Sequence, residues 1–376
     1  MVLKSSVFLR TFIPHFQLHL VILYMKGTNE SGLTDISNLG EFGLINRITK
    51  DFPTFHQNVV KGVGDDAAIV EESENTVQVY STDLLLEGTH FDLAYVPLRH
   101  LGYKAVAVNL SDIVAMNAHP YGITVSIAVS NRFPIEAVDE IYEGIKLACQ
   151  KYEVDLLGGD TSSSRLGLVI SVTAFGRAEK SEVVYRKGAK PKDLICVSGD
   201  IGAAYAGLLV LDREKSVYLK APNTQPDLTD YDYVVGRQLK PEPKLGIINQ
   251  LKSLGLHPTS MIDISDGIAS ELHHICEQSN CGATIYAGKL PIDYQTVKVA
   301  EEFKISPTTF ALNGGEDYEL LFTLPIQDFD KVKSIREFTI IGHITEEPGQ
   351  IHVVLDSGEV VDADALGWDH FKEEEK

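Results

Sequence analysis

Basic residues are scarce in this chain: 33 Lys and Arg stand against 53 Asp and Glu, a formal net charge of -20 over 376 residues. That balance excludes a basic face for nucleic acid or for an anionic membrane. Cysteine is scarce as well. Four residues (Cys149, Cys196, Cys276 and Cys281) make no disulfide framework in a chain of this length, and the Cys276–Cys281 spacing fits no common zinc signature. They read as reduced thiols, which points to the cytoplasm. Uninterrupted apolar runs are missing too. The opening MVLKSSVFLRTFIPHFQLHLVILY is basic and apolar, but Pro14, His15, Gln17 and His19 break it and no small-x-small cleavage site follows. Neither a signal peptide nor a bilayer span is expected from it. It is expected to be an extension, with Met25 as the natural first residue. The familiar nucleotide signatures are also absent: no Walker A loop, and no kinase H-R-D or D-F-G element.

What remains is an ordinary globular composition, 44% apolar and 23% charged, in a chain long enough for two cores. Helical spacing runs over ISNLGEFGLINRITK from Ile36 to Lys50, over Leu98–Ala118 and over Pro134–Lys151, while Tyr121–Ser130 alternates as a strand. The polar, Gly/Pro-punctuated stretch from Gly176 to Lys192 suggests a boundary. The second half begins again with a strand, a small-residue loop and a helix, DLICVSGDIGAAYAGLLVL. Residues 213–233 read as a charged, turn-rich surface excursion. The expected organisation is an unstructured extension over 1–35, an N-terminal domain over 36–176 and a C-terminal domain over 177–376. The mixture of strands and helices indicates α/β or α+β, with a mixed sheet and helices in the first domain and an α/β second domain.

One pattern recurs. An apolar, strand-like run empties into a loop of Gly, Ser, Thr and Asp at GVGDD, YSTD, LLGGDTS, VSGD, MIDISDG and NGGED. Loops at strand ends are where α/β proteins place ligands. Each piece also has a plain reading, since Asp is common in turns and as a helix cap. Asp200 reads as a turn residue, and GDIGAAYAG as a helix-packing segment rather than a phosphate loop. Asp112 differs, because it interrupts the apolar helix AVNLSDIVAM, where a carboxylate is costly without a cation or donor. Asp263 likewise falls inside a strand. Hard carboxylate and hydroxyl oxygens without a His/Cys cluster suit Mg²⁺, which takes a few carboxylates plus phosphate oxygens. Several such ions would let an acidic chain bind a polyphosphate.

Taken in order, GVGDDAAIV, STDLLLEGTHF, KAVAVNLSDIVAMNAHP, LLGGDTS, YRKGAKPKD, IDISDGIASEL and NGGEDYELLF resemble the thiamine-monophosphate kinase family. That family lies within an ATP-binding superfamily that includes aminoimidazole ribonucleotide synthetase and selenophosphate synthetase. The resemblance covers residues 40–371. It implies ATP-dependent phosphorylation of thiamine monophosphate to thiamine diphosphate, several Mg²⁺ ions, and a homodimer whose N-terminal domains pair, with no nucleic acid or membrane as partner. It implies Asp65, Ser81, Thr82, Asp83, Asp112, Asp160, Asp263 and Asp266 as metal positions. Gly159, Asp160, Arg186 and Ser265 would then meet ATP, and His90, Glu316 and Trp368 the substrate. No covalent nucleophile or obligatory base is implied. The substrate loop of aminoimidazole ribonucleotide synthetase is not found. No Cys precedes Cys149, which argues against selenophosphate synthetase.

Overall fold

The computed structural model describes residues 38–223 and 225–363. Trp368, Met25 and the opening 24 residues lie outside the described set. The chain divides into two compact units, and of the first, which ends at Phe52 and includes Asp369–Lys376, only α1 (Gly40–Thr49) is described as regular structure. This is the helix expected within Ile36–Lys50. The second unit, Pro53–Trp368, carries both sheets.

The first sheet has the order β1-β2-β3-β6-β4-β5. Its strands are β1 (Val59–Lys61), β2 (Ala68–Glu71), β3 (Thr76–Leu86), β4 (His119–Val129), β5 (Asp155–Ser163) and β6 (Val169–Glu179). All pairings are antiparallel except β4 with β5, which is parallel and reached through a helical crossover. Two helices, α2 (Leu98–Ala115) and α3 (Ile135–Tyr152), accompany this sheet, and their residues share its core. The two helices meet through reciprocal glycines. A Cβ on Gly102 would sit 1.9 Å from the Ile141 carbonyl, and one on Gly144 1.9 Å from the Arg99 carbonyl. Only hydrogen fits at either position.

The second sheet has the order β13-β12-β9-β11-β7-β10-β8. It is built from β7 (Leu194–Ser198), β8 (Ser260–Asp263), β9 (Gly282–Tyr286), β10 (Leu320–Leu324), β11 (Phe338–Thr345), β12 (Ile351–Val354) and β13 (Val360–Asp362). β12 runs parallel to β9, and the remaining pairs are antiparallel. The helices of this half are α4 (Ala203–Lys220), α5 (Asp232–Leu239), α6 (Leu245–Ser253), α7 (Ile268–Ser279), α8 (Tyr294–Phe303), α9 (Pro307–Asn313) and the single turn α10 (Phe329–Val332).

Helix α2 joins the halves. Fourteen of its 18 residues are buried, the signature of a helix enclosed on all sides rather than one lying on a surface. Leu110 and Ile113 are fully enclosed in the first core, while Val114 and Ala115 enter a second cluster with Val184, Met261 and Phe322. Each such large aliphatic side chain contributes about 1.5–3 kcal/mol on burial. The few polar residues of this helix are therefore expensive, and two of them reach functional groups.

The structure corrects three expectations. YSTD and LLGGDTS do not open into loops: β3 continues through Ser81, Thr82 and Asp83, and β5 through Gly159 and Asp160. Pairing with β6 keeps β3 extended through these residues, and the β4 ladder does the same for β5 despite its composition. Every residue of β5 is exposed. Residues 213–220 form the last turns of α4 rather than a turn-rich excursion, because DREKSVYLK holds no helix breaker before Pro222.

Candidate active site

Three carboxylates converge from separate parts of the chain. Asp66 comes from the loop before β2, Asp112 from α2, and Asp263 from the end of β8. One oxygen of each lies within 4.8 Å of the others. Asp66 is 9% exposed and Asp263 4%. Burial pushes Asp66 up to about 7, with Arg186 pulling against it and Asp263 and Asp65 adding to it. Burial likewise pushes Asp263 up to about 6. Asp112 is driven well above the usual carboxylate range by burial and then by the charges of Asp83, Asp263 and Asp66, against a hydrogen bond from Ser81. Three like charges in a dry site are unfavourable without a cation.

The donors present do not satisfy them. Asp66 Oδ2 and Asp263 Oδ2 are buried with no hydrogen-bond partner, whereas Asp65 Oδ2 pairs with Lys61 Nζ at 3.5 Å. Orphaned carboxylate oxygens facing one point, with hydroxyls nearby and no sulfur or imidazole among them, fit a hard divalent cation. Arg186 supplies part of the countercharge. Its Nε and Nη2 donate to Asp66 Oδ1 at 3.1 and 2.6 Å, and its backbone N–H donates to Asp65 Oδ1 at 3.0 Å. Burial opposes the charge on Arg186, but Asp66, Asp65 and Asp263 outweigh it and hold the guanidinium protonated.

The strand alternation of β3 sorts the neighbouring candidates. The Ser81 hydroxyl donates to Asp112 Oδ2, and Asp83, two residues on, lies on the same face. The Asp83 backbone N–H is fixed by Asn109 Oδ1 of α2 at 2.9 Å. Thr82 occupies the other face, where its hydroxyl donates to the Val172 carbonyl and meets Thr173. The geometry therefore groups Ser81 and Asp83 with the carboxylates and leaves the Thr82 side chain apart. Asp160 stands exposed on β5, outside the three-carboxylate group. Gly159 lets β5 lie close on β4, since a Cβ there would meet the Val125 carbonyl at 1.8 Å.

Two loops of the second half complete the arrangement. Ser265 and Asp266 open α7, and the buried Glu271 carboxylate accepts from their backbone N–H groups at 3.0 and 2.8 Å. The loop of residues 314–319 is clipped onto them, with Glu316 N–H on the Ser265 carbonyl at 2.7 Å and Tyr318 N–H on the Ile264 carbonyl at 2.8 Å. Asp317 accepts from the N–H groups of Gly202 and Ala204 and so caps α4. His90 follows β3, and its Nδ1 accepts from the Leu86 N–H at 3.1 Å. The neutral ring then carries its proton on Nε2.

Reading the sequence missed some of this. Of the adjacent pair Asp65 and Asp66, the candidate list held only Asp65, whereas Asp66 joins the three-carboxylate group. Glu271 and Lys104 were passed over. Lys104 gave the same signal as Asp112, a charge inside an apolar helix, eight residues earlier. Among the described residues all four cysteines are free thiols, as expected, and no helix is long and apolar enough to cross a membrane.

A two-domain α/β architecture with mixed sheets and a carboxylate cluster fed by both defines a class. Residues 64–178 match the family described as AIR synthase related protein, N-terminal domain, and residues 191–354 match its C-terminal domain. A thiamine-monophosphate kinase of Bacillus subtilis is 34% identical over 339 residues, covering 89% of this chain and 100% of that protein. One of Escherichia coli is 34% identical over 345 residues, covering 88% and 98%. A solved structure, AaThiL complexed with AMPPCP and TMP, superposes with a TM-score of 0.76 at 30% identity, covering 90% of this chain and 100% of that one. The chain belongs to the AIR synthase related proteins and, within them, to the thiamine-monophosphate kinase family.

Proposed function

We propose that this protein transfers the terminal phosphoryl group of ATP to thiamine monophosphate, releasing ADP and thiamine diphosphate. The observation that carries this reading is the buried group of Asp66, Asp112 and Asp263, with orphaned oxygens, in a chain that matches kinases of this name along nearly their whole length. Asp66, Asp112 and Asp263, with Ser81 and Asp83 beside them, would hold Mg²⁺. Asp160 and Asp266 would serve further ions at the phosphates, and Asp65 would act through Arg186. Bound Mg²⁺ would supply charge neutralisation between two polyanions.

The chain's own residues do the rest. The acceptor is a phosphate monoester, largely dianionic near neutral pH because its second pKa is about 6, so no general base is required. Arg186, anchored on both Asp65 and Asp66, offers a fixed guanidinium to ATP. Ser265 and Gly159 hold their backbone in place for the same ligand. His90 presents Nε2–H as a donor to the substrate, and Glu316 presents a carboxylate to its ring end. Catalysis is then positioning and charge stabilisation, with direct in-line transfer and no phosphoenzyme.

The reading includes the domain division near residue 176, a cytoplasmic location supported by the free thiols, and a homodimer. β5 supports the dimer: it is an edge strand, all nine residues are exposed, and Leu156 and Leu157 stand 49% and 55% accessible. Long exposed edges of this kind seek a partner. ADP release should require thiamine monophosphate, with neither thiamine nor aminoimidazole-pathway substrates replacing it. ATP binding without turnover on any of them would overturn the kinase assignment.

A further inference from the structure

Lys104 sits in the middle of α2, and its side chain is 5% exposed. An unpaired ammonium there would be prohibitive. Its Nζ donates to Glu316 Oε2, across 212 residues of sequence, and to the Gln238 carbonyl at 3.2 Å. Gln238 Nε2 donates to the same Glu316 oxygen at 3.1 Å, and the Tyr318 hydroxyl to Oε1 at 3.4 Å. The Glu316 side chain nevertheless keeps 27% of its surface open. The pair is thus a dipole with its positive end enclosed and its negative end at the surface. The loop carrying it is strained, since Glu316 and Tyr318 both adopt left-handed backbone angles, φ +69° and +50°. Non-glycine residues hold such angles where surrounding contacts over-determine them, and they cluster at functional sites.

We infer that Lys104, with Gln238, is a positioning residue that fixes the Glu316 carboxylate for the ring end of the substrate; this rests on the reading above that Glu316 meets thiamine monophosphate. Helix α2 carries both ends of the site. Asp112 follows Lys104 by eight residues, about 12 Å along the helix axis at 1.5 Å per residue and about 80° around it at 3.6 residues per turn. One rigid element therefore sets the separation between the phosphate-binding carboxylates and the ring-binding carboxylate. The geometry suits an elongated substrate, with a phosphate at one end and a nitrogen-rich cationic ring system at the other. Removing Lys104 would leave Glu316 free to turn, while the ATP side stays as it was.

Steady-state kinetics of Lys104→Met, Lys104→Arg, Glu316→Gln and the double variant Lys104→Met/Glu316→Gln test this. Lys104→Met should raise KM for thiamine monophosphate at least about tenfold, far more than it changes KM for ATP, with Lys104→Arg recovering part of the loss. The double variant should be no worse than Glu316→Gln alone, because the two residues act as one unit. An unchanged KM for thiamine monophosphate, an equal loss toward both substrates, or additive effects would overturn the assignment. Should Lys104→Met not fold, Gln238→Leu decides in its place: a rise confined to KM for thiamine monophosphate supports the inference, and no rise refutes it. Wild-type protein that makes no thiamine diphosphate would instead refute the kinase reading itself.

Discussion

Asp112 concentrates the account at the scale of single residues. It is placed in an apolar helix, hydrogen-bonded by Ser81, and pushed toward protonation by burial and by three neighbouring carboxylates. Asp112→Asn removes a charge that the metal-free protein holds at a cost and that the proposed metal site needs. Turnover should fall more than about tenfold, which is more than ~1.4 kcal/mol of barrier, while thermal stability without divalent cations rises. Magnesium at a hundred times its dissociation constant should add about 2.7 kcal/mol to the wild type and far less to the variant. A variant that kept its turnover, or kept the full magnesium-induced rise in melting temperature, would remove Asp112 from the metal site. Asp112 and Asp263 were legible in the sequence because a carboxylate inside an apolar run needs a reason. Asp65 and Asp66 were not separable, since which of two adjacent side chains turns inward depends on the loop's backbone angles. Lys104 was as legible as Asp112 in principle, but its meaning rests on Glu316, which only the tertiary fold brings to it.

At the scale of elements, polar composition concealed two strands. Ser-Thr-Asp in β3 and Gly-Gly-Asp-Thr-Ser in β5 look like loops because strand propensity is mostly a matter of fitting a half-buried surface. Here the neighbours provide that surface, β6 for one segment and β4 for the other. The consequence is functional. A strand holds Ser81 and Asp83 on one face at a fixed spacing, which a loop would not do. Among the described residues β5 has no second neighbour, and its exposed leucines are the feature on which the proposed dimer rests. Leu157→Lys should shift the protein from dimer to monomer at micromolar concentration, read by sedimentation velocity. A variant sedimenting like the wild type would mean that β5 is not the pairing edge.

Across the whole molecule, a two-domain α/β organisation with mixed sheets could be expected from the sequence, but strand order could not. The order β1-β2-β3-β6-β4-β5 and the parallel β4–β5 pair are set by contacts distant in sequence. What the fold does is bring Asp66, Asp112 and Asp263 to one point from three places spread over nearly two hundred residues. It also clips the loops of Ser265 and Glu316 beside them. The proposed metal site follows from that convergence, and the proposed direct transfer from an acceptor phosphate that needs no general base. The measurement that tests it most directly is a single turnover with ATP labelled in its terminal phosphate, excess enzyme, Mg²⁺ and thiamine monophosphate. The account predicts that the label passes from ATP into thiamine diphosphate with none on the protein at any time. Label accumulating on the protein, or appearing only as inorganic phosphate, would contradict it.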